Sequence, residues 1–200
     1  MKLKSLAALM MAGVMTLGLC ACNSKAPDAS DANTDPVSIT TTESWDFSTG
    51  FYPAMSPATS NGTYGFTYYA RNCYDTLVIR EGGEFKAGLA ETWDISDDGL
   101  TYTFHLKEGV KFSDGADLNA EAVKTSLEAA FSNLGDYVAS FGKIGILTES
   151  IEVVDEHTVA IHLTMPYYGV LNDLAMCNPM GIVSPIAVNE DLTTKEELMT

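Results

Sequence analysis

The sequence predicts a mixed α/β domain with α+β character, and three stretches carry that expectation. From Thr101–Leu106 polar and apolar residues alternate. Tyr102, Phe104 and Leu106 share one face and Thr101, Thr103 and His105 the other, the period of a half-buried antiparallel strand. Asn119 stands before a run in which Val123, Leu127, Ala130, Phe131 and Leu134 fall on one helical stripe. It therefore caps a helix to about Leu134, with Glu121 near the positive end of the dipole. Residues 151–154 and Thr158–Leu163 read as strands of a hairpin turning at Asp155-Glu156-His157. Hairpin strands beside an amphipathic helix define a layered α/β architecture.

Taken in order, residues 1–22 read as an export leader outside the fold. Lys2 and Lys4 form its positive end, and the apolar run that follows, at about 14 residues, is shorter than the roughly 20 a membrane span needs. Leu19-Cys20-Ala21-Cys22 resembles a bacterial lipobox, with a branched aliphatic residue three before Cys22 and a small one just before it. Cys22 is thus the expected lipidated first residue of the mature chain, and Cys20 in the middle is the departure from the pattern. An ordinary secretory signal is the alternative. Residues 23–36 hold Asn, Ser, Ala, Asp, Thr and Pro without a large apolar side chain, the composition of a flexible linker.

The folded part is expected over 37–200. Residues 37–42 alternate as a first strand, and a loop rich in Trp, Tyr, Pro and Gly follows over 43–62. Residues 66–77 read as a helix entering a short strand. Asp97-Asp98-Gly99 and Ser113-Asp114-Gly115 are turn signals, Pro166 suits the start of a last helix to about Ala175, and 181–183 reads as an apolar strand.

Composition narrows the function classes. The chain has 200 residues, 46% apolar and 19% charged, with 11 basic against 27 acidic residues and a net charge of −16. Removing a leader that carries Lys2 and Lys4 and no acid leaves 9 basic against 27 acidic, or −18. Nucleic acid is excluded as a partner, because phosphate contacts need clustered Lys and Arg. About 180 residues bury roughly 70% of their unfolded surface, enough for one domain. Only Cys73 and Cys177 remain in the folded part, and their separation gives no disulfide framework, so two buried free thiols are an equal reading. No Cys-x-x-Cys, His-x-His or His-Glu-x-x-His pattern occurs, so neither a metal site nor a cofactor is expected. His105, His157 and His162 read as ordinary strand histidines, His157 and His162 on opposite faces. No Ser lies in Gly-x-Ser-x-Gly and no Cys has a catalytic context, so the chain does not read as an enzyme.

Several motifs in sequence order carry a family resemblance. Glu91-Thr92-Trp93, the stretch 96–106, Lys111-Phe112-Ser113-Asp114-Gly115 and Ala120-Glu121-Ala122-Val123 resemble the signature block of family 5 solute-binding proteins, the peptide and nickel receptors of ABC importers. Tyr74-Asp75-Thr76-Leu77-Val78, Ala87-Gly88-Leu89-Ala90, the stretch 151–163, Pro166-Tyr167-Tyr168 and Ser184-Pro185 extend the match over nearly all of 37–186. The signature itself reads as scaffold: Trp93 as core, Thr101–Leu106 as a sheet member, Gly115 as a turn.

The resemblance implies a periplasmic-binding-protein-like fold, this chain being the first lobe of a two-lobed, class C receptor. Such proteins are more than twice this long, so the chain reads as an N-terminal fragment. The resemblance also implies a substrate-binding lipoprotein in the cell envelope, anchored by lipid to the outer face of the cytoplasmic membrane or periplasmic. It would capture oligopeptides or a similar solute and deliver them to the permease subunits of an ABC importer.

Three segments match cleft-facing stretches of such receptors. The first holds Asn61, Thr63, Tyr64 and Phe66, small polar groups beside rigid aromatics. The second lies around Asp136 and Tyr137. The third runs from Met176 through Asn178 to Met180. Nickel-type relatives place arginines in the third segment, suited to clamping chelator carboxylates. This chain has Asn178, Pro179, Met180 and Gly181 there, which favours a peptide-like ligand over a nickel chelate. A lipid-tethered protein-interaction module without a transport role is the other reading.

Overall fold

A computed structural model of the chain describes residues 70–193, the side chains of Ala70, Asp136 and Tyr137 excepted. Lipidation at Cys22, the linker, the strand at 37–42 and the candidates Asn61, Thr63, Tyr64 and Phe66 lie outside the described residues.

A small hairpin comes first. Strands β1 (Val78–Glu81) and β2 (Glu84–Ala87) pair antiparallel, with Glu81 opposite Glu84. The two-residue connection is Gly82 (φ 62°) and Gly83 (φ 90°), the double positive φ that a tight hairpin turn demands and that glycine supplies without steric cost.

The main sheet has four strands, β3 (Ala90–Ile95), β4 (Thr101–Leu106), β5 (Thr148–Asp155) and β6 (Thr158–Leu163), in the order β3-β4-β6-β5, every pair antiparallel. The alternation expected of β4 is present: Tyr102, Phe104 and Leu106 are buried and the residues between them half-buried. Phe104 faces Val159, Tyr102 faces Ile161, and Ile161 faces Ile151 on the other side, so one apolar face is continuous across three strands. Trp93 stands opposite Phe104 and is half-buried at the rim of the core.

Helix α1 (Ala120–Leu134) lies across β5 and β6. The Asn119 side chain accepts a hydrogen bond from the Ala122 N–H at 2.8 Å, the expected cap, and Gly135 (φ 49°) ends the helix. Val123, Leu127, Ala130 and Leu134 are buried while Phe131 is half-buried. Each large side chain removed from water here is worth about 1.5–3 kcal/mol, so the sheet–helix sandwich dominates the stability of this region.

The β5–β6 hairpin forms as expected, with β5 starting earlier than the sequence indicates, at Thr148. His157 sits in its turn and not on a strand. Three expectations are corrected. In place of a helix entering a short strand by Leu77, the described part of that stretch is a single 3-10 turn, Ala70–Asn72, then irregular chain, and the strand starts at Val78. The carbonyls of this irregular chain accept from distant groups: Asp75 from the Ile182 N–H (2.9 Å), Thr76 from Leu89 (2.9 Å) and Leu77 from both Gly88 (3.2 Å) and Ala90 (3.0 Å). A helix would have consumed those acceptors internally. The last helix is also shorter, α3 being Val170–Leu174, and ahead of it the Tyr167 carbonyl accepts from the Tyr102 hydroxyl at 3.0 Å, tying this stretch to β4. Residues 181–183 are buried but not a strand, since Ser126 Oγ accepts from the Val183 N–H (3.1 Å) and donates to the Val183 carbonyl (3.0 Å).

Two short helices, α2 (Ile144–Leu147) ahead of β5 and α4 (Cys177–Met180) beyond α3, are accompanied by 3-10 stretches at Gly135–Phe141 and Pro185–Ala187. Asp173 organises the first of these helices. It is 2% exposed, and its Oδ2 accepts from the N–H groups of Lys143 (2.8 Å) and Ile144 (3.2 Å), fastening the start of α2 to α3.

Candidate binding site

The structure brings the third cleft segment against the irregular chain that carries Tyr74 and Asp75. Asp75 accepts from Ile182, and the Cys177 thiol donates to the Tyr74 carbonyl at 3.2 Å. Two cavities flank this junction. One of about 170 Å³ is lined by Arg71, Tyr74, Asp75, Thr76, Ile79 and Cys177. The other, about 260 Å³, reaches from Cys73 and Tyr74 past Ser184 to the turn at Lys111, Phe112 and Ser113. Tyr74 and Asp75 line both. Each is smaller than the roughly 300–1,000 Å³ that encloses a drug-sized ligand, so neither alone surrounds a peptide.

Among the expected residues, Asn178 and Met180 are both in α4 and both withdrawn from solvent, Asn178 at 8% exposure and Met180 at 1% as part of the main core. The peptide bond between Asn178 and Pro179 is cis. Residues 177–183 are all buried, and Met176, half-buried, is the part of the segment open to solvent. Tyr137 lies in the 3-10 stretch Gly135–Phe141, away from α4 in sequence.

One charged residue was missed by sequence reasoning. Arg71 places Nη2 3.5 Å from the Ala175 carbonyl, two residues before Cys177. A guanidinium thus stands beside the segment in which no arginine occurs, supplied by the 3-10 turn at Ala70–Asn72. Nothing in the sequence spacing links Arg71 to Ala175; the bonds from Cys177 to Tyr74 and from Ile182 to Asp75 hold the two stretches side by side.

The electrostatics of the junction follow from burial. Cys177 is pushed up to about 11 by desolvation, with Arg71 opposing and Asp75 and Cys73 adding to the rise. The Tyr74 hydroxyl is also raised, by burial first and then by the two thiols. At the far cavity the Ser184 hydroxyl and the Ala116 N–H hold Asp114 below the usual carboxylate range. The histidines stand elsewhere. His105 Nε2 meets Asp94 at 3.0 Å, and His162 Nε2 meets Glu152 at 2.9 Å, each on a neighbouring strand of the sheet.

The motifs singled out in the sequence are contacts in the structure: Gly88 of one meets Leu77 of another, and a Cβ at Gly88 would lie 2.8 Å from the Leu77 carbonyl oxygen. A profile described as "Bacterial extracellular solute-binding proteins, family 5 Middle" matches residues 84–198, which begin at β2 and include the whole main sheet and α1. The chain belongs to the family 5 bacterial extracellular solute-binding proteins. It is 37% identical over 141 residues to the glutathione-binding protein GsiB of Salmonella typhimurium, covering 70% of this chain and 27% of that one. NikA from Brucella suis in complex with Fe(III)-EDTA superposes with a TM-score of 0.59 at 31% identity, over 65% of this chain and 26% of that one. DppA from Helicobacter pylori in complex with the peptide STSA superposes with a TM-score of 0.53 at 28% identity, over 68% and 29% respectively. The fold is thus the periplasmic-binding-protein fold of family 5 in mixed α/β form, and the chain spans about a quarter of the length of the relatives it matches.

Proposed function

We propose that this family 5 chain serves as the substrate-binding component of an ABC importer, a non-catalytic receptor that captures oligopeptides outside the membrane and presents them to permease subunits. The observation that carries this reading is the match to GsiB at 37% identity, a glutathione-binding protein, together with the likeness to DppA holding a peptide. Peptide-like ligands offer carboxylates and backbone amides, and Arg71 with the exposed Asp75 beside it gives opposite charges suited to such groups. The likeness to NikA bound to a metal chelate keeps the nickel-chelate receptor as the second reading, and Arg71 is the group that would serve it.

The receptor works as the first of two lobes closing on the solute, with Asn61, Thr63, Tyr64, Phe66, Tyr137 and the Asn178–Met180 segment at the cleft. Lipid at Cys22 holds it in the envelope. Deleting the gene while leaving its importer intact tests the transport role: growth on a peptide as sole source of a required amino acid is lost, and unchanged growth refutes it. Labelling with a fatty-acid analogue tests the anchor. Label is expected in the wild type and absent from Cys22→Ala, and equal labelling of both rules Cys22 out.

A further inference from the structure

We propose that Cys73 and Cys177 are partners in an intramolecular disulfide that fastens the Arg71–Asp75 stretch to α4, resting for its oxidising surroundings on the export reading above. Cys177 Sγ lies 3.2 Å from the carbonyl oxygen of Tyr74, the residue that follows Cys73. Covalent geometry then places the Cys73 Cα within roughly 9 Å of that sulfur. With the Cys177 Cα a further distance of about 3 Å from its sulfur, the two Cα atoms lie within about 12 Å of each other, a range that contains the roughly 4.4–6.8 Å a disulfide needs. The electrostatics agree with this neighbourhood: after burial, both thiols raise the Tyr74 hydroxyl, and Cys73 adds to the rise of Cys177. They are the cysteines of the described residues, and both are free thiols, one exposed and one buried.

The asymmetry sets the order of the chemistry. Exposed Cys73 is the accessible nucleophile, and its thiolate attacks a small disulfide, releasing one thiol and leaving a mixed disulfide on Cys73. Cys177, shielded from outside reagents, then gives up its proton and attacks the Cys73 sulfur. The second small thiol departs and takes that proton. Two protein thiols are oxidised and one disulfide is reduced to two thiols, so the exchange balances. The bridge would join chain segments from near the two ends of the described residues, closing a loop of about 104 residues in the unfolded chain. It would also tie the stretch holding Arg71 to α4 beside the smaller cavity, which Arg71 and Cys177 both line.

The test uses the full chain and hydroxyethyl disulfide as oxidant, a reagent unlike any peptide ligand. After oxidation and denaturation, peptide mapping should recover Cys73 joined to Cys177, with a mass lower by two hydrogens and two fewer titratable thiols. Reduction should then lower the thermal midpoint of the wild type but leave Cys73→Ser unchanged. The proposal is overturned by a persistent mercaptoethanol adduct on Cys73, by two thiols still free in denaturant, or by Cys73 joined to Cys20 or Cys22. The wild-type mapping stands even where the variant does not fold. Because the exchange needs no ligand and no importer, a chain that forms the bridge but supports no uptake refutes the transport reading alone.

Discussion

Replacing Asp173 with alanine should unfold this domain more readily than any comparable change on its surface. The carboxylate is 2% exposed and takes hydrogen bonds from the backbone N–H groups of Lys143 (2.8 Å) and Ile144 (3.2 Å). The Tyr167 hydroxyl bonds to it as well, and burial together with that bond raises the Tyr167 pKa. Hydrogen bonds to a charged group are worth about 1.5–3 kcal/mol each, and a buried donor stranded without a partner costs about 1–3 kcal/mol. These terms overlap because relaxation admits water, so Asp173→Ala should cost about 3–4 kcal/mol in urea denaturation. For a domain of 150–250 residues each kcal/mol moves the thermal midpoint by roughly 2–4 °C, giving a fall of about 6–16 °C. Asp173→Asn retains an acceptor for the amides and should cost about half as much. A loss below about 0.5 kcal/mol for the alanine variant would put it among neutral surface changes and refute the role of Asp173 as the fastening of α2.

Gly88→Val should cost about 2–3 kcal/mol in the same assay, because the new side chain meets the Leu77 carbonyl at van der Waals overlap; a neutral result would mean that the hairpin and the 74–77 stretch are not held together as described. Arg71→Ala should weaken ligand binding severalfold with the thermal midpoint nearly unchanged, read by titration calorimetry, since Arg71 is exposed and its backbone contact is long at 3.5 Å; equal affinity would remove it from the site. Acid should destabilise the protein only at low pH. Asp98 is held down by the Ser96 hydroxyl and then the Leu100 N–H, and Asp155 by the His157 N–H and then Thr158. Their stabilising contribution is present above the unfolded carboxylate value of about 3.9 and lost as pH falls through the lower folded values, so Asp98→Asn should flatten the acid limb of the stability curve. At the alkaline end the reduced protein should lose stability between the free thiol value of about 8.5 and the folded value of about 11 for Cys177, a limb absent from Cys177→Ala.

What the sequence made legible was local. The β4 alternation, the Asn119 cap and the β5–β6 hairpin each depend on residues within one or two turns of each other, and all three are present. The β1–β2 hairpin was also written locally, in Gly82-Gly83 between short alternating runs, and that signal was overlooked. The failures have another origin. Residues 74–77 and 181–183 take their conformation from hydrogen bonds to each other's neighbourhood, to Leu89 and Ala90, and to Ser126 on α1. Such partners are distant in sequence, so propensity within a window points to the wrong element. The same limit applies to the candidate site: the family resemblance located the segment around Asn178, but the approach of Arg71 and Tyr74 to that segment is a tertiary fact.

The central claim is that this family 5 chain captures peptides, and calorimetric titration of the purified product of the intact gene tests it most directly. Glutathione, the peptide STSA and nickel with L-histidine would be added in turn. The account predicts saturable binding of at least one of the two peptides, stronger than any binding of the nickel chelate. Saturation by the chelate alone, or by none of the three, would contradict it.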